Sequence, residues 1–187
     1  MKFRKTLIFL VIIFLAACGN EIDANMSETM VDFEFKTQDE TSLNLENLKD
    51  DWWVANFMYT NCRAVCPKTT ANLANVQEEL KIDDLHPRIV SFSVDPAHDT
   101  PDVLREYADN FGADLESWSF LTGYEFDTIQ DIAQETFKFH LSEGALDQRA
   151  HGYNFYLINP DGDIVKEYDG LRPDDLEILV DDLKNVL

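Results

Sequence analysis

The sequence predicts an α/β fold in which a central mixed sheet carries helices on both of its faces. Strand-like and helix-like segments alternate along most of the chain, and the run at 52–58 is continuously apolar, as buried strands are. The 187 residues suit one compact domain, so one hydrophobic core should organise most of the chain.

In the first half of the chain, the spacing of the apolar residues distinguishes strands from helices. Alternation or a continuous apolar run is typical of strands, whereas apolar residues three or four positions apart are typical of helices. These patterns predict an opening hairpin around 33–45, a buried strand at 52–58, a helix at 68–82 and a strand at 88–94. Thr100 and Pro101 then predict a helix start, because Thr can cap a helix and Pro suits its first position.

The second half continues the alternation. The patterns predict a short strand at 118–121, a helix at 125–137, a strand at 153–159, a further strand after it, and a last helix that begins at Pro173. The sequence Asn-Pro-Asp-Gly at 159–162 joins the last two strands, with Pro and Gly in the positions that turns favour.

Residues 1–17 have the form of a secretory signal peptide. Basic residues precede an apolar stretch of 11 residues that ends in Leu-Ala-Ala, directly before Cys18. A membrane-spanning helix needs about 20 residues, so a retained span is the weaker interpretation. The ending resembles the lipobox of bacterial lipoproteins, which implies a lipid on Cys18, a polar tether at 18–30 and a folded domain at 31–187. The predicted location is the extracytoplasmic face of the bacterial cell membrane; the alternative for Cys18 is an ordinary apolar residue in an uncleaved anchor.

The charge balance is strongly acidic. The chain has 36 Asp and Glu residues against 15 Lys and Arg residues, a formal net charge of −21. Because phosphate binding requires positive charge, we expect no nucleic acid among the partners. A solvated, repulsive surface that keeps the protein soluble is the simplest interpretation of this balance.

Two cysteines, Cys62 and Cys66, remain for the folded domain. They lie in YTNCRAVCPK, between the predicted strand at 52–58 and the helix that follows. A disulfide is permitted outside the cytoplasm, but one in so short a loop removes little chain entropy. Helix N-termini lower the pKa of thiols, so we expect both thiols to be partly ionised at neutral pH. Thiolates attack disulfides and bind soft metals, so a redox pair and a metal site both remain open.

His151 is the histidine whose position suits a third metal ligand. It closely precedes the strand at 153–159, and in thioredoxin-like sheets the loop before that strand lies against the dithiol loop. Thioredoxins have a cis-Pro there, whereas this chain has no Pro between Pro101 and Pro160. Two thiolates and one imidazole suit copper, as Cu(I) or Cu(II), while structural zinc usually takes four protein ligands. The remaining histidines are typical of surface or capping residues: His86, His98 and His140.

Three segments of the chain occur in a characteristic order: YTNCRAVCP, SFSVDPAHDTP and HGYNFYLINPDG. Together they resemble the Sco/SenC family, thioredoxin-like copper-binding proteins of cytochrome c oxidase assembly. The first is similar to the family's Thr-x-Cys-x-x-x-Cys-Pro copper motif, the second to its Ser-Val-Asp-Pro segment, and the third to the stretch that begins with its ligand His. The resemblance covers about 31–187 and implies a thioredoxin-like fold in its peroxiredoxin-like variant.

The resemblance also implies the roles of individual residues. By it, Cys62, Cys66 and His151 are the copper ligands, and the two cysteines can also form a redox disulfide. Asp95 would support the site from nearby; the alternative is a turn residue that caps the next helix.

Some positions depart from the family pattern. Between the cysteines the family often has Pro-Asp, where this chain has Arg63 and Ala64, and before the ligand His it often has Asp, where this chain has Ala150. Without that carboxylate the imidazole is held less firmly, which is expected to weaken metal binding. Arg63 adds positive charge beside the thiols.

The resemblance implies a lipid-anchored copper metallochaperone that delivers copper to the dinuclear copper centre, in the copper-centre subunit of cytochrome c oxidase. The alternative is a thiol-disulfide oxidoreductase that reduces the oxidase cysteines before metal insertion and is itself restored by a thiol reductant. A peroxiredoxin-like peroxidase is a weaker interpretation, since Thr60 stands only two residues before Cys62 and no Pro precedes it in the expected place. A binding module without metal is the fourth interpretation.

Overall fold

The computed structural model describes residues 22–63, 65–141 and 152–187. Within these ranges the strands are β1 (Glu28–Thr29), β2 (Glu34–Thr37), β3 (Ser42–Asn44), β4 (Trp53–Met58), β5 (Arg88–Ser93), β6 (Trp118–Thr122), β7 (Asn154–Ile158) and β8 (Asp163–Asp169). The helices are α1 (Cys66–Ile82), α2 (Pro101–Phe111), α3 (Phe126–Glu135) and α4 (Pro173–Val186). A 3-10 turn at Leu45–Leu48 follows β3.

The strands form one mixed sheet in the order β1-β8-β7-β4-β5-β6-β2-β3. Its centre is parallel, with β4 beside β5 and β5 beside β6. Its flanks are antiparallel, because β7 pairs with β4 on one side and β2 pairs with β6 on the other. Every residue of β4 is buried, as expected for a central strand with both faces covered. The predicted mixed sheet is therefore confirmed.

Helices cover both faces of this sheet, as the sequence predicted. Helices α1, α2 and α4 bury apolar side chains in the core of one face, among them Leu73, Leu104 and Leu179. Helix α3 packs Ile129 and Ala133 into the core of the other face, beside the segment that contains β2 and β3. Across the described ranges, no helix has both the length and the apolar character that crossing a membrane requires.

The predicted elements are present with small shifts at their ends. Helix α1 begins at Cys66, two residues before the predicted start, because Pro67 suits the first turn of a helix. Thr100 caps α2 as predicted: its hydroxyl accepts a hydrogen bond from the N–H of Val103. Gly112 ends this helix in the left-handed conformation, with φ of 68°.

The sheet begins before residue 31, where the sequence predicted the domain to start. Strand β1 pairs with β8, and the side chain of Asn25 exchanges two hydrogen bonds with the backbone of Glu167. Met30 is buried against the core of the α3 face. The polar composition of this segment conceals these contacts, because hydrogen bonds to a backbone require no apolar pattern.

Gly170 allows the end of β8 to approach the start of β7 closely. Its N–H donates to the carbonyl of Tyr153 at 3.2 Å, and its own carbonyl accepts from the side chain of Asn72 in α1 at 2.8 Å. A Cβ on Gly170 would lie 2.4 Å from the Tyr153 oxygen and 2.9 Å from the ring of Phe155. A residue with a side chain would not fit here, so Gly170 is what allows the start of β7 to lie this close to the end of β8.

We expect Gly170→Ala to lower the free energy of unfolding by about 3 kcal/mol. The atom nearest to the new methyl group would be the backbone oxygen of Tyr153, which cannot rotate away as a side chain can. Urea unfolding of the purified protein measures the loss. Gly112→Ala is the control, since a Cβ there meets nothing within 4 Å and only backbone strain, about 1 kcal/mol, remains. Equal losses in the two variants would contradict the close-approach explanation.

Candidate metal centre

The two cysteines lie where β4 passes into α1. The chain leaves β4 after Met58 and makes a turn in which the N–H of Cys62 donates to the carbonyl of Tyr59 at 3.2 Å. Cys66 is the first residue of α1. Both residues are thiols, 4% and 1% exposed respectively, and both belong to the core on the α1 face of the sheet. The pair is therefore positioned by the sheet and by a helix together.

The sulfur of Cys62 serves as an acceptor for the N-terminus of α1. The N–H of Cys66 donates to Cys62 Sγ at 3.2 Å. Val65, the capping residue of the helix, offers no side-chain hydrogen bond. Because the first N–H groups of a helix lack partners within it, a sulfur at this place receives both a hydrogen bond and the favourable end of the helix dipole. This position favours a thiolate on Cys62.

Cys66 is in the opposite situation. A hydrogen bond with the Cys62 side chain and burial raise the pKa of the Cys66 thiol well above its ordinary value. The prediction that both thiols are partly ionised at neutral pH is therefore wrong for Cys66. A helix N-terminus favours an anion, but a buried thiol that donates to a neighbouring sulfur loses that donation when it ionises.

Tyr59 contacts this pair, although no sequence pattern singles it out. Burial raises the pKa of its phenol to about 12, with further contributions from the charges of the two thiols and from a hydrogen bond to Cys62. The charge of Asp95 also raises this pKa, so its carboxylate lies within electrostatic reach of the phenol. Asp95 lies two residues after the end of β5, and its N–H donates to Ser93 Oγ at 3.1 Å.

Asp99 is a second residue that the sequence did not single out for this site. Its carboxylate is fully buried and accepts the N–H and the hydroxyl of Thr60 and the hydroxyl of Ser93. Burial raises the pKa of this carboxyl, and the hydrogen bonds from Ser93 and Thr60 oppose the rise. The motif Asp-Thr-Pro identified a helix start, but nothing in a sequence shows that its Asp points inward.

Several predicted residues lie outside the described ranges: Cys18, Ala64, Ala150 and His151. Arg63 is exposed. His86, His98 and His140 are also exposed, in agreement with their prediction as surface residues. Over the part of the chain that the structure describes, no group of three or more His, Cys, Asp or Glu side chains is arranged to hold a metal ion. The described part thus contributes two sulfur donors to the predicted site.

The sequence model of the SCO1/SenC family matches residues 22–187. The chain belongs to this family. The match includes β1 and begins before residue 31. The chain is also 37% identical over 179 residues to the SCO1 protein homolog of Bacillus subtilis (strain 168), covering 94% of this chain and 92% of that protein.

Solved structures of the Sco family share the architecture. A SCO1/SenC family lipoprotein of Bacillus anthracis has a TM-score of 0.79 and 33% identity, over 87% of this chain and 98% of that chain. BsSco, a member of the Sco family of cytochrome c oxidase assembly proteins in which a disulfide switch was identified, also has a TM-score of 0.79, with 36% identity over 86% and 94%. These likenesses confirm the predicted thioredoxin-like fold.

A copper-bound Sco structure shares the fold at lower identity. ScoI of Bradyrhizobium japonicum, solved with copper bound, has a TM-score of 0.70 and 23% identity, over 85% of this chain and 99% of that chain. At this identity the likeness establishes the fold alone.

We expect the two thiols to differ in reactivity. In the reduced Cys66→Ser variant, Cys62 should react with iodoacetamide at pH 7 about tenfold faster than Cys66 does in the Cys62→Ser variant. The thiolate is the reactive form, and Cys62 keeps the hydrogen bond from the N–H of residue 66, whereas burial still raises the pKa of Cys66. Mass spectrometry of timed samples between pH 6 and pH 10 measures both rates. The unfolded variants provide the control and should react alike; equal rates in the folded variants would contradict the asymmetry.

Proposed function

We propose that this Sco-family chain is a copper metallochaperone that binds copper through Cys62, Cys66 and His151 and delivers it to the dinuclear copper centre of cytochrome c oxidase. The observation that carries the proposal is the pair of thiols held four residues apart at the N-terminus of α1. Soft sulfur ligands favour Cu(I), and an imidazole serves both oxidation states. Copper is the cargo, and its transfer proceeds by exchange of these ligands for the thiols of the acceptor.

The topology of the sheet supports His151 as the third ligand. Strand β7 runs antiparallel to β4, so β7 starts at the edge of the sheet where β4 ends and the dithiol loop begins. Gly152, the first described residue after the gap, lies two positions before β7. His151, the residue before Gly152 in the chain, is therefore joined to the segment that starts at the same edge of the sheet as the dithiol loop.

The proposed location of the protein is supported by its N-terminal sequence and by one relative. We infer that Cys18 carries a lipid and holds the domain at the extracytoplasmic face of the cell membrane, with the residues before Asn25, where the contacts with β8 begin, as the connection. The similarity to a SCO1/SenC family lipoprotein of Bacillus anthracis supports this inference. A membrane-bound chaperone meets a membrane-bound oxidase in two dimensions, which raises the rate of encounter.

We expect His151→Ala to weaken copper binding by about 100-fold or more, since the loss of a residue that only hydrogen-bonds a metal ligand already costs 10 to 100-fold in affinity. Anaerobic titration of the reduced mature protein, followed by absorption and by competition with a chelator, measures the affinity. His86→Ala is the control, because His86 is exposed and its nearest carboxylate, Asp84, is 3.7 Å away. Wild-type affinity and spectrum in His151→Ala would remove His151 from the site.

A second function is favoured by the asymmetry of the thiols. In a thiol-disulfide oxidoreductase, the Cys62 thiolate attacks a disulfide of the partner, forms a mixed disulfide and releases one partner thiolate. Cys66 then loses its proton and attacks Cys62 Sγ, which leaves a Cys62–Cys66 disulfide and a fully reduced partner. An external thiol reductant restores the pair. Copper delivery and this reduction use the same two sulfurs and are compatible.

We expect the Cys66→Ser variant to accumulate a mixed disulfide with an oxidised peptide that carries the acceptor's two cysteines, because the resolving thiol is missing. Non-reducing electrophoresis and mass spectrometry detect the adduct. The Cys62→Ser variant is the matched control and should form at most a tenth as much adduct, since its remaining thiol is 1% exposed and burial raises the pKa of that thiol. Equal adduct in both variants would contradict the assignment of Cys62 as the attacking thiol.

A further inference from the structure

Asp99 connects two loops that follow neighbouring parallel strands. The N–H of Thr60 donates to both oxygens of the carboxylate, at 3.3 and 3.2 Å, and the Thr60 hydroxyl donates to Oδ1. Ser93 Oγ donates to Oδ2 at 2.6 Å. Thr60 lies after β4 and Ser93 ends β5. All of these hydrogen bonds come from neutral donors, so they stabilise the carboxylate without neutralising it.

Thr60 is the second residue of the turn that carries Cys62. The turn is closed by the hydrogen bond from the N–H of Cys62 to the carbonyl of Tyr59. Since Asp99 holds both the backbone and the side chain of Thr60, it fixes the dihedral angles that direct the chain toward Cys62. Cys62 Sγ in turn meets the N–H of Cys66. A continuous path of hydrogen bonds and short covalent links therefore joins Asp99 to the dithiol.

Asp99 is itself held rigidly. Its N–H donates to the carbonyl of Asp95 at 2.9 Å, and the N–H of Asp95 donates to Ser93 Oγ at 3.1 Å. The hydroxyl of Tyr124 donates to the carbonyl of Ser93 at 2.7 Å. Helix α2 begins two residues after Asp99. These contacts make the segment from Ser93 to Asp99 a fixed support, against which the dithiol loop is positioned.

We propose that Asp99 is the positioning residue of the dithiol loop. Through its hydrogen bonds with Thr60, Asp99 sets the position of Cys62 relative to Cys66. The proposal deepens the proposed function and rests on it for the copper readout, while the disulfide readout is independent of copper. Removal of a group that hydrogen-bonds a metal ligand typically lowers metal affinity 10 to 100-fold. Asp99 reaches Cys62 only through Thr60, so we expect an effect at the lower end of that range. Asp99 acts through Thr60 and makes no contact with the cargo in this role.

Thr60 offers a matched pair of variants. Thr60→Val has nearly the same shape but loses the hydroxyl donor to Asp99, whereas Thr60→Ser keeps that donor. Asp99→Asn keeps the size of the side chain but replaces one acceptor oxygen with an NH2 group, which would face the donors of Thr60 or Ser93 and could not accept from them. We expect Thr60→Val and Asp99→Asn to lower copper affinity about tenfold, and Thr60→Ser to remain within about threefold of the wild type.

The second readout is the equilibrium of the Cys62–Cys66 pair with glutathione, measured in the full mature chain without copper. We expect Thr60→Val and Asp99→Asn to lower the equilibrium constant for forming the disulfide about tenfold, because the two sulfurs are less well positioned for each other. If the equilibrium constant falls in the two variants but neither the variants nor the wild type bind copper, the chaperone function is wrong and the role of Asp99 still stands.

Ser91→Ala controls for a general loss of stability. Ser91 and Ser93 are both fully buried on β5, but the hydroxyl of Ser91 bonds Asn56 and Trp118, inside the sheet and away from the dithiol loop. We expect Ser91→Ala to unfold at lower urea concentration and to keep wild-type copper affinity and glutathione equilibrium. The proposal would be overturned if Thr60→Val and Asp99→Asn kept both copper affinity and glutathione equilibrium within about twofold of the wild type. Asp99 would then have a structural role only.

Discussion

Strand β4 is the constraint on which the rest of the site depends. Its parallel pairing with β5 delivers the dithiol loop and the segment from Ser93 to Asp99 to the same edge of the sheet. Its antiparallel pairing with β7 brings the start of that strand to this edge as well. Three segments that are distant in sequence therefore meet because one buried strand has two hydrogen-bonded neighbours of opposite direction. The loops then need only local contacts to complete the arrangement.

Helix α1 and the sheet each position one of the two sulfurs. The sheet positions Cys62 through the turn that follows β4, and the helix positions Cys66 as its first residue. The hydrogen bond between the Cys66 N–H and Cys62 Sγ joins the two supports. A movement of the helix end relative to the sheet would therefore change the separation of the sulfurs. This arrangement explains why residues outside the loop, such as Asp99, can influence the pair.

Much of the fold was predictable because apolar spacing and turn residues mark strands and helices directly. The run at 52–58 and the Thr-Pro start of α2 both correspond to elements of the structure. The order of three motifs was enough to indicate the Sco family. The contacts of Tyr59 and Asp99 were not predictable, because a sequence does not show which polar side chains turn inward. Strand β1 was missed for a related reason, since its pairing depends on backbone contacts with a strand more than 130 residues away.

The charges around the dithiol favour some of its states over others. Asp95 acts on the phenol of Tyr59, which contacts Cys62, and Asp99 supports the same loop. A hydrogen bond with the Cys62 side chain and burial raise the pKa of Cys66, so this thiol keeps its proton when no cation is bound. A metal cation reverses this balance, because it replaces the protons and is attracted by the same carboxylates. Under the proposed function, the surroundings favour a proton on Cys66 when no cation is bound and two thiolates when a cation is bound, and a metal carrier would alternate between these two states. In the proposed function, binding and release would then be linked to proton exchange at Cys66, and an acceptor that supplies its own thiolates would remove the cation as Cys66 recovers its proton.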